Sequence, residues 1–154
     1  MGYSVKNEVV PYELCKQLAE IGFDTPCWWW WDEIGNFYDW DLWSGCVNGK
    51  MGKGCYAAPL YQQVFRWFRE KHNILQSIDW MTRSGGNYPS GYIVHFRGIN
   101  GNKLNDNNFI VYNGTVPPVY NGEEFPGYEV IPTYEEAQVA CVKELINMVK
   151  NKQS

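Results

Sequence analysis

The sequence predicts an α+β fold: one mostly antiparallel sheet of five to six strands with three helices, in the order helix, hairpin, helix, strands, helix. Three observations predict it. Short runs of aromatic and β-branched residues are separated by segments rich in glycine, proline and asparagine. Three other segments space their apolar residues helically and carry a proline in or just before the first turn. Aromatic residues make up 17% of the chain and charged residues only 19%, so there is ample surface to bury.

Residues 1–10 are expected to be an extended arm. A helix follows over about 11–21, with Pro11 in its first turn and Leu14, Leu18 and Ile21 on one face. Gly22 suits a left-handed C-terminal stop, and Phe23 is placed to fold back on the last turn.

Residues 27–43 hold six of the eight tryptophans and read as a β-hairpin. Ile34 resists the positive φ of a two-residue turn, so a three-residue loop at 33–35 with Gly35 left-handed and a bulge is expected. That register sets Trp31 opposite Phe37, Trp30 opposite Tyr38, Trp29 opposite Asp39 and Trp28 opposite Trp40, while a one-residue slip would exchange the two tryptophan pairs between faces. Trp28, Trp30, Tyr38, Trp40 and Leu42 then share an apolar face, expected to be core. Trp29, Trp31, Phe37, Asp39 and Asp41 share a mixed face. Two indoles beside two carboxylates suit a cation, a sugar or a planar ring. The alternative is a sheet face covered by a helix or a second subunit, which is what aromatic residues more often supply.

Residues 44–57 read as a glycine-rich loop with Cys46 and Cys55, and Cys27 nearby. Their spacing lacks a second close pair or a histidine for zinc, and neither Gly49-Lys50 nor Gly52-Lys53 completes a phosphate-binding loop. The second helix covers about 59–72, with Leu60, Val64, Trp67 and Phe68 as its stripe and Asn73 as its stop. Strands are expected at 74–83 and 92–97, the latter placing His95 and Arg97 two apart on one face. They form the best basic pair in the chain for a phosphate or carboxylate, although ordinary cross-strand surface pairing also accounts for them. Residues 98–127 read as a long, loop-rich insertion containing a short strand at 109–112. Its asparagine-rich part lacks the acidic spacing of a calcium loop. The last helix starts at Thr133, which with Glu136 makes a capping box. It is followed by a polar tail, with 151–154 outside the single domain of 11–150.

A net charge of −4 argues against a nucleic-acid partner held by a basic field. No apolar run is long enough to span a membrane, and the opening residues lack a signal-peptide pattern. Lys6 stands where a myristoylation motif needs serine or threonine. Five cysteines at irregular spacing fit reduced thiols, hence a cytoplasmic location. No cofactor is expected. The surplus of aromatic surface over charge points to a homo-oligomer.

The segment 18–27, the aromatic hairpin with Gly35-Asn36, the run 58–72 from Ala58-Pro59-Leu60-Tyr61 to Lys71-His72, and Thr133-Tyr134-Glu135-Glu136-Ala137 together carry a likeness. The set resembles small uncharacterised proteins of phages and prophages of gut Bacteroidales, over roughly residues 10–80 and 128–150. Residues 98–127 and the glycine loop look like additions peculiar to this chain. The resemblance implies a phage-like accessory protein made in bacterial host cytoplasm, and transfers no catalytic residue.

Two functions follow. The first is a non-enzymatic binding protein that sequesters a nucleotide-like small molecule or caps a host protein, in a counter-defence role. Trp29, Trp31, Asp39, Asp41, His95 and Arg97 are its candidate binding residues. The second is a small hydrolase or transferase using Asp39 and Asp41, close enough to perturb one another or share a metal. No G-x-S-x-G or H-E-x-x-H occurs, so the binding reading is the stronger.

Overall fold

The computed structural model describes residues 4–39, 45–81, 90–99, 109–111 and 131–153. The fold is α+β, with three α-helices and two antiparallel sheets among the described residues, and the chain divides into two compact units. The single sheet expected from sequence is thus corrected to two. The first unit is Met1–Trp67 with Ile146–Ser154, the second Phe68–Leu145.

In the first unit a 3-10 turn at Val5–Asn7 leads into Val9 and Val10, which are buried. Helix α1 (Tyr12–Glu20) buries Leu14, Cys15 and Leu18. It ends as expected. Gly22 is left-handed at φ 91°, its N–H bonds Ala19 O at 3.1 Å, and Phe23 N–H reaches Leu18 O at 2.9 Å. Those two bonds satisfy carbonyls that the helix end would orphan, while Phe23 itself is buried.

Strands β1 (Trp29–Trp31) and β2 (Phe37–Asp39) pair in the expected register: Trp29 with Asp39, Trp30 with Tyr38, Trp31 with Phe37. A third strand, β3 (Tyr56–Ala58), takes the other edge of β1, setting Tyr56 beside Trp31 and Ala57 beside Trp30. It lies in the segment expected to be loop. Alanines let a strand approach the indoles without competing for space, and the Asn48 side chain accepts the Ala57 N–H at 2.9 Å.

Helix α2 (Tyr61–His72) begins in the first unit and ends in the second. Gln63 reaches back to accept the Leu60 N–H at 2.9 Å, a glutamine version of the capping box. Tyr61, Val64, Phe65, Trp67 and Phe68 are buried, and Asn73 stops the helix at φ 55°.

The second unit holds β4 (Ile74–Met81), β5 (Gly91–Gly98) and β6 (Phe109–Val111), in the order β4-β5-β6. β4 and β5 pair antiparallel along their whole length, from Ile74 opposite Gly98 to Met81 opposite Gly91. Phe96 and Val94 are buried on the face that also carries Ile74.

Helix α3 (Tyr134–Gln153) starts in this unit, with the Thr133 hydroxyl accepting the Glu136 N–H at 3.2 Å. Its buried residues are Ala137, Cys141, Val142, Leu145, Ile146 and Val149. Tyr134, at the start of the helix, is exposed and Met148 half-buried. The helix also runs on through most of the expected polar tail. Among the described residues no helix is long and apolar enough to cross a membrane.

Candidate functional site

The hairpin is built on Asp32. Its backbone N–H bonds Asn36 O at 3.0 Å, and its carbonyl accepts from Gly35 at 3.1 Å. Gly35 is left-handed at φ 83°, as the three-residue loop requires. Asp32 Oδ1 accepts the N–H groups of Ile34 (3.0 Å) and Asn36 (2.9 Å). Oδ2 accepts Asn36 Nδ2 (2.9 Å) and the Tyr38 hydroxyl (3.1 Å). Desolvation, the largest single influence, pushes the carboxyl up, but the bonds from Asn36, Ile34 and Tyr38 together carry it below its usual value. Tyr38 moves the opposite way, chiefly because its proton is donated to Asp32. Sequence reasoning fixed on Asp39 and Asp41 and missed Asp32. An aspartate three residues before a glycine, at the mouth of a turn, was the signal.

The faces of the hairpin are reversed from expectation. Trp31, on the mixed face, is 4% exposed, while Trp28 and Tyr38, on the face expected to be core, are 64% and 41% exposed. The cause is β3 and α1. Tyr12 meets Trp31 edge-on at 6.1 Å and Tyr56 at 6.0 Å, and sends its hydroxyl to Glu33 O at 2.8 Å. Trp31 is therefore core and offers no stacking surface. Trp29 is half-buried and Asp39 exposed. Trp40, Asp41 and Leu42 lie outside the described residues, and with them the carboxylate pair. On the outer face Trp30 stacks on Tyr38 at 4.7 Å with planes 22° apart.

His95 and Arg97 stand on β5 in the second unit, on one face as expected. Antiparallel register puts Ser77 directly across from His95 and Leu75 across from Arg97. A hollow of about 280 Å³ opens there, lined by Leu75, Gln76, Ser77, Asp79, His95, Phe96 and Arg97. The Ser77 hydroxyl donates to Asp79 Oδ2 at 2.8 Å, and His95 Nε2 lies 3.5 Å from the same oxygen. Serine, aspartate and histidine are thus all present, but in the wrong order for a nucleophile. The carboxylate sits between the other two and accepts the serine hydroxyl's hydrogen bond, leaving that hydroxyl without the histidine partner a nucleophile needs. The imidazole thus lies beside the Asp79 carboxylate, and Arg97 is exposed at the rim. Period-two alternation showed that His95 and Arg97 share a face. Asp79 and Ser77 were legible only as strand residues until the register was fixed.

The expected neighbourhood of Cys27 and the glycine loop is present, through Cys46: the two exchange backbone hydrogen bonds. Among the described residues no three histidine, cysteine or acidic side chains cluster as metal ligands. The structure is thus an α+β fold with a small hollow on the β4–β5 pair, lined by both polar and apolar side chains. The chain matches no protein-family model, no curated protein and no solved structure.

Proposed function

We propose that this chain is a non-enzymatic binding protein whose β4–β5 hollow takes an anionic, nucleotide-like small molecule. The observation that carries this reading is the pairing of His95 and Arg97 in a hollow of about 280 Å³, with the Asp79 carboxylate 3.5 Å from the imidazole. Arg97 supplies a forked donor for phosphate oxygens, and His95 a second donor when protonated. Leu75, 37% exposed across from Arg97, gives the planar part of such a ligand an apolar rest. In an accessory protein of a bacterial host, the context the sequence resemblance implies, such binding would sequester a signal.

Calorimetric titration with a panel of mono- and dinucleotides and inorganic phosphate tests the reading. Saturable binding that is weakened by Arg97→Ala supports it. Titrations flat across the panel, or binding indifferent to Arg97→Ala and His95→Ala alike, rule it out.

A second reading, capping of a host protein, is favoured by the outer hairpin face, where Trp28 and Ile34 are largely exposed. Pull-down from host lysate that is abolished by Trp28→Ala, with the His95 and Arg97 variants unaffected, would select it over the first.

A further inference from the structure

Cys27 and Cys46 face each other across an antiparallel bridge just outside the tryptophan hairpin. Cys27 N–H bonds Cys46 O at 2.9 Å, and Cys46 N–H bonds Cys27 O at 2.7 Å. Residues that exchange both bonds in this way are directly opposed, with side chains on the same face and Cα atoms about 5.5 Å apart. That separation falls inside the roughly 4.4–6.8 Å that a disulfide spans. The two strands press close beside the pair. A Cβ at Gly45, left-handed at φ 67°, would come within 3.2 Å of Pro26 Cβ. Both thiols are free and buried.

We propose that Cys27 and Cys46 are a redox modification site, closing to a reversible disulfide in the presence of a small-molecule disulfide oxidant and clasping the base of the β1–β2 hairpin. One thiolate attacks the oxidant, forming a mixed disulfide and releasing one small thiol. The second cysteine then attacks the protein sulfur of that mixed disulfide and releases the other small thiol. The oxidant is reduced by two electrons, the cysteines are oxidised by two, and their two protons leave on the released thiols.

Burial pushes Cys27 up to about 12, with Cys46 beside it adding to the effect, and burial pushes Cys46 up to about 11. Attack is therefore slow in the closed structure and proceeds through local opening of the glycine loop. Hydrogen-bonded opposed pairs hold their Cβ atoms wider than the roughly 3.8 Å a disulfide prefers. The bond is consequently strained and readily reduced, the behaviour of a switch rather than a staple.

The test incubates the whole chain to equilibrium with oxidised glutathione, alone and in denaturant below the unfolding transition. Remaining thiols are then alkylated, counted after denaturation and mapped by peptide mass. Loss of two of the five thiols, a linked pair of peptides containing Cys27 and Cys46, and reversal by reduced glutathione are expected. Cys27→Ser should instead trap glutathione on Cys46. Should that variant not fold, hydrogen exchange on the oxidised and reduced wild type supplies the same decision, with slower exchange at Trp29–Trp31 expected after oxidation. Retention of all five thiols under both conditions, a link mapping to Cys55 or Cys141, or unchanged exchange in the oxidised chain overturns the proposal.

Discussion

Trp31 donates its indole N–H to the carbonyl of Val10 at 3.3 Å, and the Cys15 thiol donates to the same oxygen at 3.2 Å. One backbone acceptor thus joins the entry to α1, the helix itself and the middle strand of the hairpin sheet. Cys15 is raised well above an ordinary thiol by burial, only partly offset by its contact with Trp31, so it stays a proton donor to that carbonyl.

The consequence is a sharp asymmetry between neighbours on one strand run. Trp31→Ala should cost about 3–5 kcal/mol, the usual loss for a buried aromatic. Trp31→Phe keeps most of the apolar area but removes one donor, at a cost of about 1 kcal/mol plus the mismatch in shape. Trp28→Ala, on the exposed face, should stay within about 0.5 kcal/mol. Urea unfolding of the three variants measures this directly. Equal losses at 28 and 31 would mean the faces are not as described.

Much of this fold was legible because local chemistry and tertiary structure agreed. Gly22, Gly35 and Asn73 each adopt the left-handed backbone that their positions demanded. Ile34 favoured the longer turn over the shorter one, because a β-branched residue resists positive φ, and the register that turn implies is the one observed. The buried face was not legible, because alternation shows which residues share a face but not which face a partner covers. That choice was made by β3, whose Tyr56-Ala57-Ala58 carries too short a pattern to announce a strand inside a glycine-rich segment. Likewise the hollow depends on Ser77 standing opposite His95, a relation between strands that no single strand encodes.

Asp32 makes the hairpin pH-dependent. Its folded value is lowered, so the stability it contributes is fully present above the unfolded carboxyl value and is lost as pH falls through the lowered folded one. Tyr38 closes the window from the other side. Its value is raised, so its share is present below the unfolded phenol value and lost as pH rises through the folded one. Near-UV circular dichroism, sensitive to the Trp30–Tyr38 stack, should show a hairpin transition in acid and another in strong base. Asp32→Asn should remove the acid transition and Tyr38→Phe the basic one. A wild-type signal flat across both limbs contradicts the argument.

Gly54 tests how closely the glycine loop rides against the hairpin turn. A Cβ there would lie 2.8 Å from Glu33 Cβ, and the backbone is left-handed at φ 79°. Gly49 has a similar φ of 84° but nothing within 4 Å. Gly49→Ala should therefore cost only the backbone term, about 1–2 kcal/mol. Gly54→Ala should cost clearly more, because carbon must be displaced as well. The difference between the two unfolding free energies isolates the contact, and equal values would show that it contributes nothing.

Leu75 offers the cleanest control on the hollow. It is exposed and directly across from Arg97, so Leu75→Glu sets a carboxylate against the guanidinium. Opposed charges across strands are favourable or neutral, and stability should stay within about 0.5 kcal/mol of wild type. Binding behaves differently. The new carboxylate occupies the forked donor and repels an anion. The loss should be comparable to removing a charged hydrogen bond, about 1.5–3 kcal/mol, or on the order of tenfold to a hundredfold in Kd. Raising salt should weaken wild-type binding and leave the variant's residual affinity nearly unchanged, because exposed charges are screened within about 10 Å at 0.1 M. A Leu75→Glu protein that binds as tightly as wild type would move the anion site away from Arg97.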